Sequence, residues 1–451
     1  MNILKLFSSN QRGDGRKKYL SRPLKTIPAE KHKILMSKIS HDALSVIRQL
    51  QKNGYKAYLV GGCVRDLLIG RDPKDFDVVT NAVPTAIKRI FRKARIIGRR
   101  FKIVHIPFGA EIIETATFRA LPEGSDAAGS DDLLLKRDNK YGNEREDAIR
   151  RDFTINALFY DPVQGGILDY VGGYDDIQQG IIRIIGNASV SYREDPVRMI
   201  RAVKFQATTG FKMEKSTRNE ISPHSSQILK CSIARVIEEI YKIMRSGSSL
   251  QTFRNLTQTK LIKFLLPKVY EMLHKASPDK LETTPLGKRL AVLDDLIKRG
   301  RKFNNVLFLI VIFYDLIQSQ VANSDHPDIG YITNTYLTEI SRNMGFSNRD
   351  KDMMVKATVV QRRFLDPEKK TRKFVRLFVF RDYFKDSLDF FEINCRTTST
   401  GSDEILFWVK EYKKNLTRIR QIRQEKKAAR RESNRRSRRR RSAGSAVGKK
   451  K

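Results

Sequence analysis

The stretch 57-AYLVGGCVRDLLIGRDPKDFDVVT-80 decides the fold. AYLV is short and wholly apolar, which predicts a buried strand. It runs into Gly61 and Gly62, whose missing Cβ atoms let backbone amides approach a triphosphate closely. The segment from Arg65 begins a turn or short helix closed by Gly70. DFDVVT is again strand-like, so Asp75 and Asp77 leave the same face of one extended segment. Carboxylates about 7 Å apart along such a face repel each other unless a cation lies between them. Oxygen-only ligation of this kind suits Mg²⁺, which keeps waters and takes its remaining ligands from substrate phosphates. Arg65 lies nearby as a phosphate-pairing cation.

Working outward, a helical pattern from His41 ends at Gly54, and PTAIKRIFRKA reads as an amphipathic helix. FKIVHIPF and AEIIETATFR read as two strands joined at Gly109. On the second, Glu111 and Glu114 point to opposite faces, so only one can join the aspartates; Glu114 is the choice. Three acids on adjacent strands beside a glycine turn fit a two-metal phosphoryl-transfer site, with one ion activating a hydroxyl and the other neutralising pyrophosphate. Residues 121–146 hold glycines, few apolar groups and an acidic excess, the marks of a mobile loop. A helix is expected over 147–160, with Ile149, Phe153, Ala157 and Tyr160 on its core face. Asp152 and Asn156, four apart on another face, are candidate ribose ligands. ILDYVGG and IIRIIG add short strands, and beyond Arg193 the pattern is helical to about Leu416. The head is therefore α+β, and the remainder all-α.

In REDPVRMIRAVKF, Asp195 followed by Pro196 has the form of a helix start. Asp195 and Arg198 are three apart and share a face. A carboxylate beside a guanidinium matches the Watson–Crick edge of adenine or cytosine, while guanine and uracil present the reverse order. The pair selects ATP or CTP and does not separate the two.

The chain carries 88 Lys and Arg against 50 Asp and Glu, a net charge of +38. Residues 1–40 contribute +8 and residues 418–451 contribute +14, which leaves +16 on the 377 residues between. Such a balance points to a polyanion held through its phosphates. The tail RRESNRRSRRRRSAGSAVGKKK has no hydrophobic periodicity and is expected to be disordered. The longest apolar run, Val306–Tyr314, is far short of the roughly 20 residues of a membrane span. Cys63, Cys231 and Cys395 are widely spaced and follow no metal-ligand pattern, so a reducing, cytoplasmic setting is expected.

Taken in order, YLVGGCVRDLLIG, DFDVVT, ETATFR, RRDFTINALFY and REDPVRMIRAVKF resemble the class II tRNA nucleotidyltransferase and poly(A) polymerase family. The likeness is strong over residues 41 to about 215 and weak beyond. The segment IIGRRFKIVHI at 96–106 looks like the one that marks bacterial poly(A) polymerases rather than CCA-adding enzymes. The resemblance implies a nucleotidyltransferase head with a small mixed palm-like sheet (41–186), a helical neck that reads the nucleotide (187–260) and a helical body (261–417). A basic extension (1–40) and a disordered Arg/Lys-rich tail (418–451) flank these parts. It also implies metal binding at Asp75 and Asp77 and base pairing at Asp195 and Arg198. Lys204 departs from the Arg more usual in the family, offering a point charge where a planar fork would stack or bind bidentately. The implied activity is template-independent addition of AMP from ATP to RNA 3′ ends with two Mg²⁺ ions, with a monomer and RNA-degradation machinery as the expected state and partner. The alternatives are CCA or terminal-A addition to tRNA and, from another class, a non-catalytic RNA-binding protein. His105 is left open between a site residue and an ordinary strand histidine.

Overall fold

A computed structural model describes residues 15–98, 102–109, 111–121, 140–274 and 278–422, with four further positions before residue 430. Most of the 121–146 loop and of the basic tail lies outside the described residues, as do residues 1–14. The chain divides into two compact units, Met1–Ile243 with Gln251–Glu271, and Met244–Leu250 with Met272–Lys451.

The first unit is built on an eight-stranded sheet: β1 (Lys25–Ile27), β2 (Ala57–Val60), β3 (Asp77–Thr80), β4 (Arg95–Ile97), β5 (Ile103–Phe108), β6 (Glu111–Thr117), β7 (Leu158–Asp161) and β8 (Gly166–Asp169). Their order is β1-β8-β7-β2-β3-β6-β5-β4. Within this sheet, among the described residues, only β3 and β6 run parallel, a pairing that needs the crossover through helix Pro84–Ile90. β2 and β7, at the centre, are buried on both faces, which explains the apolar run of β2 and the Leu-Phe-Tyr run that opens β7. The core between sheet and helices includes Tyr58, Phe118, Phe159 and Tyr170 in edge-to-face and tilted contacts. Downstream of the sheet come helices Ala188–Glu194, Val197–Thr209 and Ile233–Met244.

Three expectations change. DAIRRDFTINALFY is not one helix: a helix over Glu144–Ile149 stops, a 3₁₀ turn covers Thr154–Asn156, and Leu158–Asp161 is strand β7. Asp152 ends the helix by taking the Phe153 amide on its own side chain, in competition with the helical bond. The N-terminal extension is also part of the head from Arg16 onward. β1 closes one sheet edge against β8, and buried Arg16 donates to buried Glu194. Finally, the tail does not begin at 418, because residues 416–422 are helical and Ile419 is buried in the core of the second unit.

Among the described residues that unit has helices and no strand. Its most apolar helix, Asn305–Ala322, has the length and hydropathy to cross a membrane, yet half of it is buried and it serves as a core helix. A second cluster gathers Phe364, Phe378, Phe384 and Phe391 around Trp408, whose Nε1 donates to the Phe364 carbonyl at 3.0 Å.

Candidate active site

The sheet register brings the acids together. Asp77 opens β3 directly opposite Val60, the last residue of β2, and on its other side lies opposite Glu114 of β6. Glu111 instead pairs with Phe108 and accepts from Ser40 at 3.0 Å, which leaves Glu114 as the third acid. Asp75 sits exposed two residues before Asp77, in the approach to the strand, with buried Phe76 anchoring the segment. One side of Asp77 faces solvent, but the protein packed behind its carboxyl strips water from it. That burial, then the charges of Glu114 and Asp75, pushes its pKa up to about 6 against the opposing pull of Arg151.

Gly61 turns the chain at φ +80°, a conformation that L side chains rarely adopt. A Cβ there would lie 3.6 Å from Arg151 Nη1 and 3.9 Å from Asp77 Oδ2, so the glycine turn stands beside the acids and a guanidinium. Arg151 is held by Asp147 at 2.7 Å and lies over the Phe159 ring.

Arg65, Asn156 and Asp152 are joined in a buried chain rather than lying open. Arg65 donates to Asn156 Oδ1 at 2.7 Å and also binds Asp66. Asn156 donates to Asp152 Oδ1 at 3.3 Å, and Asp152 Oδ2 pairs with Arg201 at 2.7 Å. Burial alone would raise the Asp152 pKa, but Arg201, Asn156 and Arg198 outweigh it and hold the carboxyl below its usual range. Arg65 and Arg201 both lie over the Phe205 ring, 4.9 and 5.7 Å from its centroid. Much of the polar capacity expected for a triphosphate and a ribose is thus spent internally, in a network that ties the glycine turn to helix Val197–Thr209.

Asp195 lies in the break between helices Ala188–Glu194 and Val197–Thr209, and its carbonyl accepts from the Arg198 amide. The two side chains are not bonded to each other. Arg235 holds Asp195 Oδ2 at 2.8 Å, while Oδ1 is buried without a hydrogen-bond partner among the described residues. The buried Arg198 guanidinium donates to Ser191 Oγ and reaches Glu194 at 3.4 Å. Lys204, further along the same helix, is partly buried against Glu239 at 2.7 Å. Burial and Lys204, in opposition, leave the Glu239 pKa at about 2.

Sequence reasoning missed Arg151, Arg201 and Arg235. Arg201 carried a signal, since it continues the three-residue spacing of Asp195 and Arg198. Arg151 had only its place beside Asp152, and Arg235, forty residues from Asp195, had none.

The acids fit a hard cation. A carboxyl at about 6, backed by protein and set between two other acids, is poorly accommodated unless positive charge joins it. Among the described residues no group of three His, Cys, Asp or Glu side chains could hold a metal ion by itself, so waters and substrate phosphates would have to complete any coordination at the aspartates.

Residues 57–183 match the poly A polymerase head domain, and residues 210–273 match a domain described as "Probable RNA and SrmB- binding site of polymerase A". The chain is 39% identical to poly(A) polymerase I of Salmonella typhi over 344 residues, 73% of this chain and 74% of that one. It is 44% identical to poly(A) polymerase I of Haemophilus influenzae over 51% of this chain and 52% of that one. Among solved structures it resembles the Bacillus stearothermophilus CCA-adding enzyme in complex with CTP, at a TM-score of 0.57 and 24% identity, covering 83% of this chain and 82% of that one. At that identity the likeness concerns the fold.

Proposed function

From the membership of this chain in the poly(A) polymerase family, we propose that it adds AMP from ATP, without a template, to the 3′ ends of RNA. It is a nucleotidyltransferase, and the family works with divalent metal ions. The single observation that carries the reading is Asp77, held beside Asp75, Glu114 and the Gly61 turn with its carboxyl pushed up to about 6. Such a carboxyl is poised to take up a cation together with a triphosphate.

In this reading Asp75 and Asp77 hold the metal, proposed to be two Mg²⁺ ions, and Glu114 supports them. When bound, the metal supplies activation of the RNA 3′ hydroxyl and neutralisation of the departing pyrophosphate. Gly61 and Gly62 admit the phosphates close to the backbone, and Arg65 and Arg151 lend positive charge there. Asp152 and Asn156 sit at the sugar end, bracing the site through Arg65 and Arg201. Asp195 presents its unpartnered Oδ1 to the exocyclic amine of adenine, and Arg198, fixed by Ser191 and Glu194, faces the neighbouring ring nitrogen. No covalent nucleophile is required; positioning and charge stabilisation carry the reaction. The proposed setting is cytoplasmic, with a monomer acting alongside RNA-degradation machinery.

The test is direct. Purified protein with Mg²⁺, ATP and a generic RNA oligonucleotide should extend the 3′ end, and Asp75→Ala with Asp77→Ala should abolish extension while RNA binding persists. Absence of extension by the wild-type protein sinks the proposal.

A further inference from the structure

One row of side chains crosses four strands on the acidic face of the sheet. Asp77 of β3 lies opposite Glu114 of β6, Glu114 opposite His105 of β5, and His105 opposite Arg95 of β4. Directly opposed residues project to the same face, so the row places one imidazole between the outermost acid and solvent-exposed β4. His105 Nε2 lies 3.3 Å from Glu114 Oε1.

Glu114 needs such a partner. Its side chain is 51% exposed, and a half-exposed glutamate on a strand samples several rotamers, of which only some point toward Asp77. Asp77 is fixed at the strand start, with Phe76 buried behind it. His105, at 27% exposure, is better packed than Glu114, and an imidazole has fewer rotatable bonds than a glutamate side chain. The stiffer residue therefore sets the position of the looser one.

We propose that His105 is a positioning residue for nucleotidyl transfer: its imidazole donates a hydrogen bond to Glu114 from the β5 side and fixes that carboxylate in one orientation beside Asp77. The role is to orient; His105 exchanges no proton with substrate and touches no metal in this account. The inference rests on the functional reading above. It also gives a task to the segment 96–106, whose histidine the reaction otherwise leaves unused.

The test uses His105→Asn, whose amide is too short to reach Glu114, and His105→Gln, whose amide nitrogen reaches about as far as Nε2. Both remain polar at a part-exposed strand position, so neither depends on burying a new apolar group. His105→Asn should lower kcat for AMP addition roughly fivefold to tenfold, the scale of one orienting hydrogen bond. The KM for ATP should stay within about twofold, because the base and phosphate contacts are untouched. His105→Gln should regain most of the loss. In a Glu114→Gln background with weak residual activity, His105→Asn should have little further effect. A metal-free readout comes from ¹⁵N-histidine NMR: His105 should be a single Nε2–H tautomer in the wild type and a tautomer mixture in Glu114→Gln.

Equal loss in the Asn and Gln variants would overturn the proposal, as would no loss in either, or an undiminished effect of His105→Asn on Glu114→Gln. An imidazole signal indifferent to Glu114 would do the same. Failure of the functional reading is separable, because the wild-type protein would then add no nucleotide to begin with, while the NMR result would stand on its own.

Discussion

Asp152 and Arg201 form an ion pair at 2.7 Å that joins the turn before β7 to the helix Val197–Thr209. The carboxylate is almost fully enclosed and the guanidinium partly so. Removing the cation strands a buried anion, which costs more than the pair itself contributes. Arg201→Ala should therefore destabilise the protein by about 2–3 kcal/mol in urea unfolding, below the fully buried limit because Arg201 keeps some solvent. The Asp152 carboxyl is held below its usual range, so this stability is present above the ordinary carboxylate pKa and is lost as pH falls below it. Wild type and Arg201→Ala should converge in stability toward low pH; parallel curves would show that Asp152 is not the group at stake.

Asp77 has the opposite sign. Its pKa is raised to about 6, so in metal-free protein the folded state binds this proton more tightly than the unfolded chain does. The contribution is complete below the ordinary Asp value and is lost as pH rises through about 6. In EDTA, Asp77→Asn should gain thermal stability over wild type as pH rises from about 4 to about 6 and hold that margin above. Added Mg²⁺ at neutral pH should stabilise wild type and leave the variant nearly unmoved. A margin independent of both pH and metal would contradict the description of this site.

Arg198→Ala should relax selection for ATP while RNA affinity stays within about twofold, because the proposed role of the residue is toward the base rather than the chain being extended. Its bonds to Ser191 and Glu194 are buried, so about 2 kcal/mol of stability should go as well. Equal loss of ATP selection and RNA affinity, measured by misincorporation and by filter binding, would show that Arg198 is chiefly structural.

The basic tail should add RNA affinity without supplying chemistry. Residues 423–451 hold fourteen Lys and Arg against two Glu. Their deletion should weaken RNA binding and flatten its dependence on salt while leaving nucleotide transfer to a short oligonucleotide. A cut at 418 should do additional damage, because Ile419 is buried among the aromatic residues around Trp408. If both truncations behaved alike in thermal unfolding, Ile419 would have no packing role.

The sheet and its acids were legible because their signals are local. The glycine turn, the two strands joined at Gly109 and the Asp75–Asp77 spacing each sit within a few residues, and parity along β6 reduced the third acid to Glu111 or Glu114. Of the two, register places only Glu114 opposite Asp77. The segment 147–160 misled because Ile149, Phe153, Ala157 and Tyr160 are all buried, but on a helix, a turn and a two-faced central strand rather than on one helical stripe. Asp152 and Asn156 still meet, through the turn geometry and not through helical spacing. The partners that spend the site's polar groups, Arg16 on Glu194 and Arg235 on Asp195, come from distant sequence. No periodicity connects them, and only the fold brings them together.

The central claim is best tested by a nucleotide panel, with ATP, CTP, GTP and UTP supplied separately with Mg²⁺ to a generic RNA and to a tRNA lacking its CCA end. Repeated AMP incorporation on the generic RNA is expected, with GTP and UTP excluded and CTP used poorly on either substrate. Ordered addition of CMP and then AMP, confined to the tRNA, would contradict it.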